Sequence, residues 1–323
     1  MANNYPERKE ASRKGVIKFK GEKWNYVKER LLTKSGVYKS VDGSKYLHIG
    51  RSNIKKEALY FKKLHKLGFP VSDLLEYGKI KNYSYYIERS AGEKSYGDKF
   101  HKEYASQARI NSDTLKSLCD IVCIFLGSQL KSSSHFIQKY DLKKTIMLAN
   151  VLEENPDLDI KKIQTGVLKI EKRLRSLPIT FSHGDLTPRN IFEAGIIDFE
   201  FSSVAPIGYD VLTVPIMERF WGFKKNEKET HEDFCLNEKQ ISFYYKRIEA
   251  EAERNGMRGF LALTDDFILL KAIWSLANEK NFADQSGDVS KLNFRKKILM
   301  YCLEQYLNDE PIETKKFKTF IVK

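Results

Sequence analysis

The spacing of apolar residues changes character along the chain. Gly36 to Val41 reads as a strand, Asp42-Gly43 supplies a hairpin turn, and Lys45 to Ile49 reads as the return strand. From Ile54 to Lys66 the period lengthens to that of a helix, with Tyr60, Phe61, Leu64 and Leu67 on one stripe and Glu57 one turn before them. Gly68 suits the cap of that helix and Pro70 prevents its continuation. Tyr83 to Glu88 predicts one more strand, so the first ninety residues are strands around one helix.

Beyond that point the pattern is mainly helical. Leu115, Leu118, Cys119, Val122 and Phe125 form one buried face, and Ile160, Ile163, Val167, Ile170 and Leu174 another. Strands return at Ile179 to Ser182, Asn190 to Phe192 and Ile196 to Phe199, with Glu193-Ala194-Gly195 as a tight hairpin. Helices resume around Val211 to Phe220, at Thr264-Asp265-Asp266 and from Leu292 to Tyr306. No internal repeat is visible. The expected organisation is a basic disordered tail over residues 1–14, a small β-rich lobe over 15–90 and a larger, mainly helical lobe over 91–323.

Composition narrows the picture. A chain of 323 residues that is 41% hydrophobic can bury a substantial core, and no apolar run is long enough to span a membrane. The N-terminus has no signal-peptide pattern and the four cysteines form no CxxC pair, which predicts buried thiols and a cytoplasmic protein. The net charge of +13 favours anionic ligands, but it comes from scattered lysine, and no nucleic-acid motif accompanies it.

The chemistry gathers between Ile179 and Glu200. Asp185 and Asn190 sit on a loop that Pro188 keeps from winding into a helix, and Asp198 ends the following hairpin. A strand, loop and hairpin of this length can bring the three together. Magnesium takes hard oxygen ligands from few protein groups plus phosphates, which Asn190 and Asp198 can supply. Asp185 can accept the proton of an attacking hydroxyl, and phosphoryl transfer needs little beyond such positioning and charge neutralisation.

His183-Gly184-Asp185-Leu186-Thr187-Pro188-Arg189-Asn190, followed by Ile197-Asp198-Phe199-Glu200, resembles the aminoglycoside phosphotransferase and choline kinase superfamily. The resemblance extends over roughly residues 30 to 220. It implies an α+β, two-lobed protein-kinase-like fold, ATP and Mg2+ as cofactors, and a small-molecule hydroxyl as acceptor. It implies Asp185 as base, Asn190 and Asp198 as metal ligands, and His183 as a packing residue below the loop. Ser35 and Gly36 would lie in the phosphate-covering loop, Glu57 on the glutamate-bearing helix, and Glu88-Arg89 at the adenine-holding hinge. Gly208-Tyr209-Asp210 resembles the element whose aspartate braces the catalytic loop.

One position departs from the pattern. The resemblance implies a lysine in the strand before the Glu57 helix, where the alignment offers His48. A bulge could turn Lys45 inward, another cation could reach in, or His48 could itself serve, kept protonated by Glu57. Glu200 could assist a second metal or be idle, and Arg189 could touch a substrate or form a structural salt bridge. The leading reading is a kinase acting on a sugar or glycan hydroxyl, since Asp98, Glu218, Glu227 and Glu232 all have basic residues close by in sequence. A weak pseudokinase scaffold is the alternative. A basic nucleic-acid binder rests on charge alone, and a protein kinase lacks its expected segment after Asp198.

Overall fold

Alternating side chains need a sheet that buries one face, and the N-terminal strands supply it. The computed structural model describes residues 15–30, 35–51, 54–136, 140–221, 235–277 and 279–320; the expected tail over residues 1–14 lies outside them. The strands are β1 Val16–Phe19, β2 Glu22–Glu29, β3 Gly36–Ser40 and β4 Lys45–Gly50; helix α1 Ile54–Lys66 follows, then β5 Leu74–Ile80 and β6 Tyr83–Arg89. They form one antiparallel sheet in the order β1-β2-β3-β4-β6-β5. One face buries Trp24, Tyr38, Leu47, Ile49, Tyr85 and Ile87 together. On the other, Tyr86 packs against Ile54 and Ala58 of α1.

The chain continues through α2 Tyr96–Gln107, α3 Ser112–Ser132, α4 Leu142–Thr145, α5 Leu148–Glu154 and α6 Ile160–Leu174. Strand β7 Ile179–Ser182 leads to the hairpin β8 Ile191–Phe192 and β9 Gly195–Ile196, then to β10 Ser203–Pro206, which pairs antiparallel with β7. Helices α7 Glu238–Arg254, α8 Thr264–Ser275, α9 Glu279–Ser286 and α10 Ser290–Leu307 complete the order. Asp159 caps α6 by accepting from the Lys162 N–H, and Asn237 with Gln240 closes a reciprocal capping box on α7. Helix α3 packs on α7 and α8 on α10, burying Cys119, Cys123 and Cys302 as free thiols.

Contacts divide the chain into two units, Met1–Ser95 with Ile191–Phe201, and Tyr96–Asn190 with Ser202–Lys323. The hairpin strip therefore belongs to the first unit. Its Ile196 N–H donates to the Pro70 carbonyl at 2.7 Å, and Ala194 N–H to Ala91 at 3.1 Å. A Cβ on Gly195 would meet the Val71 and Ser72 backbone at 3.0 Å, so only glycine allows this approach. Two expected elements differ. Val211 to Phe220 is not an α-helix; Val214–Phe220 is a 3-10 helix with a proline in its first turn. The strand expected to reach Phe199 stops at Ile196, and Phe199–Phe201 curls into a 3-10 turn.

Candidate active site

In the first unit a single extra residue decides where two cations point. Tyr26 of β2 stands opposite Tyr38 of β3, but Lys28 stands opposite Val37, so the register slips by one at Val27. Opposed residues share a face and successive residues alternate. Without this bulge Lys28 would share the face of Trp24 and Tyr26; with it, Lys28 joins the face of Val37. Arg30 follows two residues later, anchored by its N–H on the Ser35 carbonyl at 2.9 Å. Of the residues expected in the phosphate-covering loop, Ser35 is buried and Gly36 opens β3; residues 31–34, just before them, lie outside the described residues.

Arg30 meets Glu57 through Nη1, at 2.6 Å from Oε1 and 2.7 Å from Oε2. Its Nη2 lies 3.6 Å from Asp198 Oδ1 and its Nε 4.0 Å from Glu200 Oε2. Lys28 Nζ donates to Asp198 Oδ2. Burial opposes the charge on Arg30, but the fields of Tyr86, Glu57 and Asp198 outweigh it and hold the guanidinium charged. Asp198 adopts a left-handed backbone, φ 66°, which aspartate tolerates better than most side chains.

Two expectations for this unit are corrected. Glu57 does not pair with His48, because Arg30 already satisfies it and Tyr86 Oη donates a further bond at 3.2 Å. His48 instead joins Glu88, Nε2 to Oε1 at 2.8 Å, and stacks on Tyr86 with ring centroids 4.2 Å apart. Nor does a bulge turn Lys45 inward: it keeps regular register opposite Arg89, and its ammonium binds Glu22. The cation beside Glu57 comes from the end of β2. Glu88 is buried and also accepts from Ser72 Oγ, whereas Arg89 faces outward and pairs with Asp73 at 3.1 Å. A cavity of about 230 Å³ is lined by apolar Val37, Ala91 and Phe192 and by Lys28, Arg30 and Asp198, with His48 and Glu88 also on its wall.

In the second unit the loop after β7 is fixed by its own backbone. Asp210 accepts from the N–H of His183 at 2.9 Å and of Gly184 at 3.0 Å. Asn190, at the end of the 3-10 turn Pro188–Asn190, donates Nδ2 to the Asp185 carbonyl at 2.8 Å. His183 is fully buried, and its Nδ1 accepts the Asp185 N–H at 3.3 Å. Sequence reasoning missed Lys271. Its Nζ donates to the Gly184 carbonyl and lies 4.0 Å from the centre of the Tyr209 ring. Burial pushes its ammonium down to about 8, with Asp210 and Asp185 opposing. Its helical neighbours Leu270 and Ala272 are equally buried, so the pattern reads as plain core and hides it. Arg189 pairs with Glu218 at 3.4 Å, and burial pushes the Glu218 carboxyl up to about 7 against the pull of Arg189.

In the first unit Asp198 and Glu200 carry carboxylate oxygens, the donor type a hard divalent cation takes. In the second, the Asn190 amide donates through its nitrogen to the loop. Asp198 draws cations to itself, as its contact with Lys28 shows. Among the described residues no group of three or more His, Cys, Asp or Glu side chains is placed to hold a metal ion. No described helix is long and apolar enough to cross a membrane.

A solved candidate aminoglycoside phosphotransferase from Ralstonia eutropha JMP134 is similar at 12% identity and a TM-score of 0.55, covering 94% of this chain and 95% of that one. That similarity establishes the α+β, two-lobed kinase-like fold. APH(3'')-Id from Streptomyces rimosus, solved with ADP and streptomycin, matches at 15% identity and a TM-score of 0.43, covering 76% and 92%. An ethanolamine kinase from Plasmodium vivax matches at 15% identity and a TM-score of 0.38, covering 92% and 80%. A search among curated proteins returns no match. The phosphotransferase enzyme family model matches residues 51–230, more than half of the chain, and the chain therefore belongs to that family.

Proposed function

We propose that the protein transfers the terminal phosphoryl group of ATP to a hydroxyl of a small molecule, with Asp185 as the base. The observation that carries this reading is the locked loop. Asp210 holds the N–H groups of His183 and Gly184 while Asn190 holds the Asp185 carbonyl, so the Asp185 side chain projects from a backbone that cannot drift. Such preorganisation is what an in-line displacement asks of the protein. Asp198 and Asn190 are the residues to hold magnesium. That ion, when bound, would neutralise phosphate charge. The cavity of the first unit offers apolar walls for a base and cations for an anionic tail.

The acceptor in this reading is neutral or anionic, a sugar or glycan hydroxyl. Charged groups acting on Asp185 from its own unit include Lys271 and Arg295, both buried. Glu218, an acid that also acts on Asp185, is paired with Arg189 and has its ionisation opposed by burial. A polycation would find little compensation there. Asp98 is exposed, and Glu227 and Glu232 lie outside the described residues.

The test is a phosphate-transfer screen across sugars, amino alcohols and antibiotics with ATP and magnesium. Asp185→Asn should lower turnover about 10²- to 10⁴-fold, the range of general-base catalysis, with nucleotide affinity nearly unchanged. Asp198→Asn should weaken magnesium-nucleotide binding more than Asp185→Asn does. Undiminished turnover in Asp185→Asn would sink the assignment, and equal nucleotide affinity in both variants would sink the division of roles.

A further inference from the structure

A buried guanidinium needs acceptors for five N–H groups, and those of Arg30 are only partly met. Nη1 is held by Glu57, but Nε and Nη2 have no hydrogen-bond acceptor among the described residues. Asp198 and Glu200 stand at 3.6 and 4.0 Å, within reach of charge but beyond a hydrogen bond. Arg30 is 2% exposed and lines the 230 Å³ cavity. Leaving such donors without partners is costly, so the arrangement is built for an anion entering that cavity.

Two further features point the same way. The bulge at Val27 brings two cations, Lys28 and Arg30, together onto the cavity face. The other basic groups on the wall are already committed, His48 to Glu88 and Arg89 to Asp73. Guanidinium recognises phosphate oxygens through paired N–H groups, whereas an imidazole engaged by a carboxylate has little left to offer. We propose that Arg30, clamped by Glu57, binds the phosphate tail of the nucleotide, with Lys28 as a second cation beside it. The assignment rests on the reading that the chain uses a nucleoside triphosphate.

The experiment is calorimetric titration of the full chain with adenosine, ADP and ATP, each with magnesium. It compares wild type with Arg30→Lys, Arg30→Gln and the double variant Arg30→Gln/Glu57→Gln. The double variant removes the carboxylate that a single change would leave buried alone, so it guards against simple misfolding. ATP affinity should fall ~30-fold in both glutamine variants while adenosine affinity moves less than about threefold, the loss expected for a charge-assisted contact. Arg30→Lys should recover part of it. Equal losses for ATP and adenosine, or undiminished ATP binding in both glutamine variants, would overturn the role of Arg30. A wild type that binds no nucleotide would overturn the nucleotide reading and this assignment together. Because binding is read without turnover, failure to find an acceptor bears on the reaction and not on Arg30.

Discussion

In the first unit Arg30, Glu57, Lys28 and Asp198 meet side chain to side chain, and the geometry depends on which charges are present. In the second, Asp210, Asn190 and Lys271 all bond to main-chain atoms of the Gly184 loop, whose course they fix. The difference separates two tasks. Contacts made between charged side chains answer to any ion that joins them; a loop tied through its backbone keeps one shape throughout. Substitutions should therefore register as changes in affinity in the first case and as changes in turnover and folding in the second.

The largest departure is expected from Asp210→Ala. It deprives two buried N–H groups of a charged acceptor and should cost roughly 3–5 kcal/mol of stability, read by urea denaturation, as when one partner of a buried ionic network is removed. Turnover should fall with it. Wild-type stability would show that the loop does not depend on this brace. Next comes Glu57→Gln, which removes the counter-charge of a buried guanidinium and should cost about 3 kcal/mol, with ATP affinity reduced at the same time. If ATP affinity held while stability dropped, the pair would be purely architectural.

A smaller effect is carried by pH. The Glu218 carboxyl is raised by burial to about 7 from an ordinary value of 4.5. Between those values the folded protein binds the proton that the unfolded chain has lost, so this group makes stability decline as pH rises through that window. Glu218→Gln should flatten that decline, giving a variant more stable than wild type at pH 8 and similar to it near pH 5. Thermal melts across that range decide it; parallel curves would contradict the burial of a titrating acid. The smallest effect is expected from His48→Lys. A lysine can still bind Glu88, so ATP affinity should change less than about threefold if Arg30 is the phosphate contact. A gain of tenfold or more would return the phosphate to position 48 and blur the contrast between the units.

Much of the site was legible because its residues are consecutive. His183 to Asn190 and Ile197 to Glu200 carry their chemistry within a short segment, and Asp210 lies a short distance beyond. The helical faces around Cys119 and Val167 were legible for the same reason, since periodicity is local. What could not be read is what depends on register. Strands β1 and β2 were not placed individually: β1 is only four residues long, and β2 sets Trp24, Tyr26 and Val27 among charged ones. Arg30 was hidden more deeply. Counting by twos from Trp24 assigns it to the hydrophobic face, and the inserted Val27 reverses that count. Glu57 was rightly read as needing a cation, but a partner 27 residues away across an unseen bulge cannot be found by spacing. Lys271 escaped through its apolar neighbours.

The strip Ile191–Phe201 has a consequence for how this molecule can be taken apart. It sits late in the sequence yet stitches itself onto Pro70 and Ala91 by backbone bonds, with Gly195 pressed against Val71 and Ser72. A fragment ending at Ser95 would therefore be born with an open seam, and it would also lack Asp198 and Glu200. The first unit is not a cassette that can be cut out or transplanted; it is finished only when the ribosome has passed residue 201.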